Sequence, residues 1–306
     1  MQDKKKITEE IIKLRMSQIL VNERFKNGDF KIPLHLALGY ETLAIAVDRS
    51  MKNDDSLFLT HRNIHYNLAR MGTLKEEMDE YYLKDTGIAS GHLGSMNLSN
   101  PQENIVYSSS ILGNNLPVAT GFALGNKSNK KDAVVFVVTG DGAIEEGSLW
   151  ESLVFMKSNN LNTVIIVENN EWSLGTKIEE RRCNIHLDKL GKSLDIDYLS
   201  LEGNDPFEYI KTIKSCRDRS VENNCPVILE VHLTALGYWH MDTEEYPNGK
   251  FINYHAGAAP EVKMENYPLI SNSNDDPLFV LKKYFSKNDL KTISSKILEE
   301  LELELL

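Results

Sequence analysis

Gly140-Asp141-Gly142 closes the β-branched run AVVFVVTG (133–140). Roughly 30 residues later, the length of one strand–helix–strand unit, Asn170 closes a second such run, TVIIVENN (163–170). In an open parallel sheet, ligands bind beyond the carboxyl ends of the strands, so Asp141 and Asn170 are expected side by side on that rim. An Asp carboxylate, an Asn side-chain carbonyl and a backbone carbonyl, assigned to Trp172, are hard oxygen donors suited to Mg²⁺. Glycine at 140 and 142 lets the backbone approach phosphate oxygens, and the helix that follows offers its N-terminus to their charge. Asp-Gly alone is a common turn and Asn-Asn a common loop start. Their spacing, strand context and ligand chemistry together read as a metal–diphosphate site.

The elements that must hold these residues are legible around them. Runs 133–140, 163–170 and 226–233 alternate with helical patterns at 148–158 and 206–223. This is the mark of a parallel sheet with crossover helices, an α/β fold whose strands are buried on both faces. Apolar residues at helical spacing predict a helix over 7–25 and another over 40–51. Trp150 and Phe155, on the helix after the glycine motif, are expected in the core. Residues 1–270 are expected to form the α/β domain and 271–306 a helical tail ending in ILEELELELL. Segment 236–260 shows no period and reads as a functional loop.

Composition narrows the partners. With 34 Lys and Arg against 45 Asp and Glu in 306 residues, the net charge is −11, which disfavours a nucleic acid or an anionic membrane surface. Cys183, Cys216 and Cys225 are odd in number and widely spaced, so neither a disulfide framework nor a zinc site is expected. A reducing cytoplasm fits them. The charged, then amphipathic N-terminus has no apolar signal region, and no run approaches the roughly 20 residues of a membrane span.

GDGAIEEGSLWES followed by VENNEW resembles the thiamine diphosphate-binding motif. In the same order along the chain, IPLHLALGYETLAIA (32–46), HRNIHYNLARMG (61–72), SGHLGSMNLS (90–99) and SSSILGNNLPVATGFALGNK (108–127) resemble blocks of the alpha subunit of two-chain 2-oxo acid dehydrogenases. That resemblance implies Mg²⁺ on Asp141, Asn170 and the Trp172 carbonyl, with Gly142 and Ala143 against the diphosphate. It places His35, His61 and Arg62 on the phosphate and active-site side, and a guanidinium fork suits a diphosphate. Ser110 and Leu112 would reach the aminopyrimidine through backbone groups, and Leu112 or Leu174 would be the apolar wedge that bends the cofactor. The family takes the glutamate that activates the cofactor from a second, pyrimidine-binding domain. Two such domains need roughly 350 residues. The chain is therefore expected to need a beta-type partner, the pair doubling to a heterotetramer.

Two departures open a second reading. The family's RYHGHS-type loop is replaced by LTALGYWHMD, which keeps only a displaced His240, and in the HR block Ile64 precedes His65. SGHLGS and NYHAGAAP (253–260) resemble the N-terminal half of transketolases, which implies His92 and His255 as active-site histidines. His61, His240 and His255 are thus the candidate catalytic residues. The first reading is an oxidoreductase acting on a 2-oxo acid. The second is a transketolase-like or acyloin-forming transferase that passes a two-carbon unit to an aldehyde or sugar. Lys177 and the pair Arg181-Arg182 are expected in surface salt bridges.

Overall fold

The structure, a computed structural model, describes residues 2–242, 244, 247 and 249–306, the side chains of 239–241 excepted. Its centre is a parallel six-stranded sheet. The strands are β1 (Ser56–Thr60), β2 (Ile105–Ser109), β3 (Val135–Gly140), β4 (Thr163–Asn169), β7 (Asp197–Leu201) and β8 (Val227–His232), in the order β2-β1-β3-β4-β8-β7. The chain visits β5 (Trp172–Ser173) and β6 (Thr176–Lys177) on the way, a tight antiparallel pair directly after β4. The expected α/β class, a parallel sheet flanked by helices, is borne out.

Successive side chains of a strand point to opposite faces, and both faces here carry a core. Val135 and Val137 of β3 join Ile165 and Val167 of β4 in one apolar cluster, while Phe136 and Val138 join Val164 and Ile166 in the other. The larger cluster is covered by α1 (Gln2–Lys26), α2 (Glu41–Asp48), α3 (Ile64–Met71), α4 (Lys75–Tyr81) and α9 (Pro206–Asn223). The other lies under α5 (Asn115–Ser128), α6 (Gly147–Ser158) and α8 (Leu187–Ser193), and a short α7 (Ile178–Arg181) follows β6. Asp205 caps α9 by accepting from the backbone N–H of Phe207 at 3.1 Å, with Pro206 in the first turn. α10 (Pro277–Leu281) and α11 (Lys287–Glu304) fold back on α1, so that Leu290, Ile297 and Leu301 share its core.

Buried ion pairs tie the layers together. Arg15 on α1 grips Glu41 at the start of α2 at 2.6 Å and Asp276 before α10 at 3.0 Å, all three fully buried. Asp55, ahead of β1, accepts two bonds from Arg217 of α9.

Three expectations are corrected. β1, β2 and β7 have no counterpart in the sequence reading, because SLFLT and IVYSS are brief and β7 is an edge strand only half covered. Segment 236–260 carries a hairpin of β9 (Trp239–Met241) and β10 (Lys250–Ile252), strands too short to show a period. Trp150 and Phe155 are not core: they are 41% and 44% exposed, on a face of α5 and α6 that also bares Val118, Phe122 and Val154.

Candidate active site

The strand order reverses beside β1, since the chain runs outward from β1 to β2 and then returns to lay β3 on the other side. At such a switch point the loops diverge and leave a crevice beyond the carboxyl ends of the strands. A cavity of about 280 Å³ lies there. β1 contributes Thr60, His61 and Arg62 to its wall; β3 contributes Gly140, Asp141, Gly142 and Ala143. Glu168, Asn170, Trp172 and Leu174 follow from the end of β4 and the turn after it, and Ser110 and Leu112 from the end of β2. His35 and Tyr40 enter from the α1–α2 connection and His255 from beyond β10. The site residues named from the sequence line this one cavity, except His92, which does not, and His240, whose side chain lies outside the described residues.

Asp141 and Asn170 are neighbours. The Asp141 carboxylate accepts the backbone N–H of Asn170, and its own N–H donates to the Glu168 carbonyl at 3.2 Å. Burial is the largest influence on the Asp141 carboxyl and raises its pKa, against the opposing hydrogen bond and charge of Arg181. Asn170 is held from both ends of its amide: Nδ2 donates to the Tyr40 hydroxyl at 2.7 Å and Oδ1 accepts from the Trp172 N–H at 2.9 Å. The second lone pair of Oδ1 remains for a cation.

A guanidinium meets Asp141. Arg181 Nη2 donates to Asp141 Oδ2 at 2.7 Å and its Nε to Glu145 at 2.7 Å, while Arg182 bonds Glu145 at 2.9 Å. The two arginines do form salt bridges, as read from the sequence, but not at the surface: they are only 13% and 12% exposed and reach Asp141. Lys177 pairs with Glu179 and lies over the Trp172 ring.

The donor set fits a divalent cation with a diphosphate. The carboxylate is desolvated and already draws a positive charge; a Cβ at Gly140 would meet nothing within 4 Å, so open space borders the backbone there, while one at Gly142 would meet the Ser173 side chain at 2.8 Å. Leu112 and Leu174 are 48% and 63% exposed on this wall, and Leu174 takes a left-handed φ of 53°, which a leucine adopts only when its surroundings hold it there.

His35, His61 and His255 gather at one side of the cavity, with ring centroids 4.8, 5.4 and 5.7 Å apart. Burial, followed by the charge of Arg62, lowers the pKa of His61 to about 3 and of His255 to about 4. Burial, then His61, Arg62 and His255, lowers His35 to about 2. All three rings are neutral at physiological pH. Arg62 itself donates to the carbonyl oxygens of Leu36 and, at 2.9 Å, of His255. His92 is exposed and away from the cavity, a correction to the transketolase-like assignment. His65 is buried against Glu168 instead. Tyr40 and Glu168 escaped the sequence reading as site residues, with the position of Tyr40 inside GYET as the available signal, and Arg181 was read as a surface residue.

A model of the dehydrogenase E1 component matches residues 14–240. The chain belongs to that family. Among relatives of this E1 chain, the pyruvate dehydrogenase E1 component subunit alpha of Rickettsia bellii is 29% identical over 87% of this chain and 78% of its own length. The corresponding subunit of Rickettsia typhi is 28% identical over 96% of this chain and 90% of its own. The mitochondrial alpha-1 subunit of Arabidopsis thaliana is 27% identical over 95% and 70%. The alpha-subunit resemblance read from the sequence is borne out, and with it the enzyme class: the thiamine diphosphate-dependent first component of a 2-oxo acid dehydrogenase. No helix among the described residues is long and apolar enough to cross a membrane.

Proposed function

We propose that this E1 chain holds the magnesium–diphosphate half of thiamine diphosphate and works as the alpha-type subunit of a heterotetramer whose beta-type subunit completes the active site. The reading is carried by one observation: Asp141 and Asn170, from adjacent strand ends, meet at the wall of the cavity that gathers the other site residues. Asp141, Asn170 Oδ1 and the Trp172 carbonyl hold the cation; Gly140, Gly142 and Ala143 let the diphosphate approach their backbone. When bound, thiamine diphosphate supplies a carbon nucleophile that adds to the substrate carbonyl. Arg62 supplies positive charge on the phosphate side, and Leu112 and Leu174 give the apolar wall against which the cofactor bends. The neutral rings of His61 and His255 face the reacting side as hydrogen-bond partners. The exposed apolar face of α5 and α6 supports the beta-type partner, because lone chains rarely bare so much aromatic surface. Three unpaired cysteines support a reducing cytoplasm.

The test is calorimetric binding of thiamine diphosphate to the chain with its partner, with and without Mg²⁺. Binding is expected to need Mg²⁺ and to be lost in Asp141→Ala; binding that survives that substitution unchanged would overturn the reading.

His255 beside His35 and His61 favours a second reading, two-carbon transfer to an aldehyde or sugar, since that loop is the transketolase-like one. Turnover of the reconstituted pair with a 2-oxo acid and ferricyanide, against a 2-oxo acid and an aldehyde, separates the two.

A further inference from the structure

The cofactor reading gives His61 and His255 hydrogen-bonding roles at the cavity but does not require three histidine rings to converge there. His35, His61 and His255 come from three separate parts of the chain, yet one nitrogen of each lies within 4.8 Å of the others. His35 is 7% exposed, and its Nδ1 is buried without a hydrogen-bond partner. A buried ring nitrogen with no partner is costly unless something takes its lone pair or its proton. Among the described residues, no side chain or backbone group bonds to the His61 or His255 ring either. No carboxylate shares the cluster.

We propose that His35, His61 and His255 form a second metal site, distinct from the Asp141 and Asn170 site, for a borderline divalent transition ion with zinc as the first choice. Imidazole nitrogens suit zinc, copper, nickel or cobalt and not magnesium, which takes oxygen donors. Three imidazoles at about 2.0 Å from a tetrahedral zinc stand roughly 3.3 Å apart, so the nitrogens must draw in from within 4.8 Å, and His61 and His255, both only half-buried, are the rings that would shift. The fourth position stays open toward the cavity, as in zinc sites that admit water or a ligand oxygen. Arg62, the nearest positive charge, is engaged by the carbonyl oxygens of Leu36 and His255.

The experiment is equilibrium dialysis of the full chain against Zn²⁺ in excess Mg²⁺, with Co²⁺ as a spectroscopic substitute. One zinc per chain is expected, resistant to Mg²⁺, together with the intense visible bands of tetrahedral Co²⁺. His61→Asn and His255→Asn are each expected to weaken zinc binding at least tenfold, and Asp141→Ala to leave it intact. Absence of retained zinc, a weak octahedral Co²⁺ spectrum, or retention unchanged in the His61→Asn/His255→Asn double variant would overturn the site. The Co²⁺ spectrum is read on the unmodified chain, so the result stands even if a variant folds poorly. Neither arm uses thiamine diphosphate, which keeps failure here separate from failure of the cofactor reading.

Discussion

Arg181 lays its guanidinium on Asp141, Nη2 to Oδ2 at 2.7 Å, and thereby occupies the carboxylate expected to hold magnesium. Asp141 is 2% exposed, so its charge needs a counter-cation whenever the metal is absent. Arg181 sits on α7, directly after the β5–β6 turn that carries Trp172 and Leu174. A cation taken by the same oxygen, Oδ2, would displace Arg181.

Arg181→Gln should destabilise the metal-free chain by roughly 2 kcal/mol, the scale of a lost charged hydrogen bond. It should also widen the rise in melting temperature on adding Mg²⁺ and thiamine diphosphate, because the cation no longer competes with a guanidinium. Thermal melts with and without these ligands check both. An unchanged or smaller ligand-induced rise would show that Arg181 does not stand in the metal's place.

The Tyr40 hydroxyl accepts from Asn170 Nδ2 at 2.7 Å, which fixes the amide so that Oδ1 faces the metal loop. Tyr40→Phe removes that acceptor and keeps the buried ring. A loss of about 1 kcal/mol, near a fivefold weaker Mg²⁺-dependent cofactor affinity, is expected. Mg²⁺ titration at fixed cofactor measures it, and an affinity equal to the wild type would mean the amide needs no such clamp.

Much of this is legible in the sequence alone. Buried β-branched runs announce β3, β4 and β8, and Pro206 with Asp205 announces α9, because those signals are local. The cavity residues came mainly from resemblance, since nothing in the sequence places His35 beside His255. The Arg181 contact depends on where a two-strand turn points a four-residue helix, which is a tertiary fact. Trp150 misled for the opposite reason: an aromatic residue on a helix reads as core, and its 41% exposure on α6 is a tertiary fact that the sequence pattern does not carry.

That surface gives a third prediction. Phe122, Trp150 and Phe155 are 37%, 41% and 44% exposed on α5 and α6. Trp150→Glu should leave the melting temperature of the isolated chain within about 2 °C, because the ring has little core to lose. It should abolish co-elution with the beta-type subunit on size exclusion. Intact co-elution would move the partner interface elsewhere on the molecule.

Glu77 supplies a pH-dependent test away from the site. Its side chain is fully buried on α4, Oε1 accepts from the Tyr81 hydroxyl at 2.6 Å, and Oε2 has no partner. Burial raises its pKa to about 8, with the Tyr81 hydrogen bond acting against that and Glu80 adding to it. In the unfolded chain the carboxyl titrates near 4.3. Between these values the folded state keeps a proton that the unfolded state has released, so stability contributed by the neutral carboxyl is complete below about pH 4 and declines as pH rises toward 8. Glu77→Gln keeps a neutral group of the same shape and removes this slope. Its melting temperature is expected to exceed that of the wild type by several degrees at pH 8 and to match it within about 2 °C at pH 5. Parallel curves for the two proteins across that range would mean the buried carboxyl is already ionised in the fold.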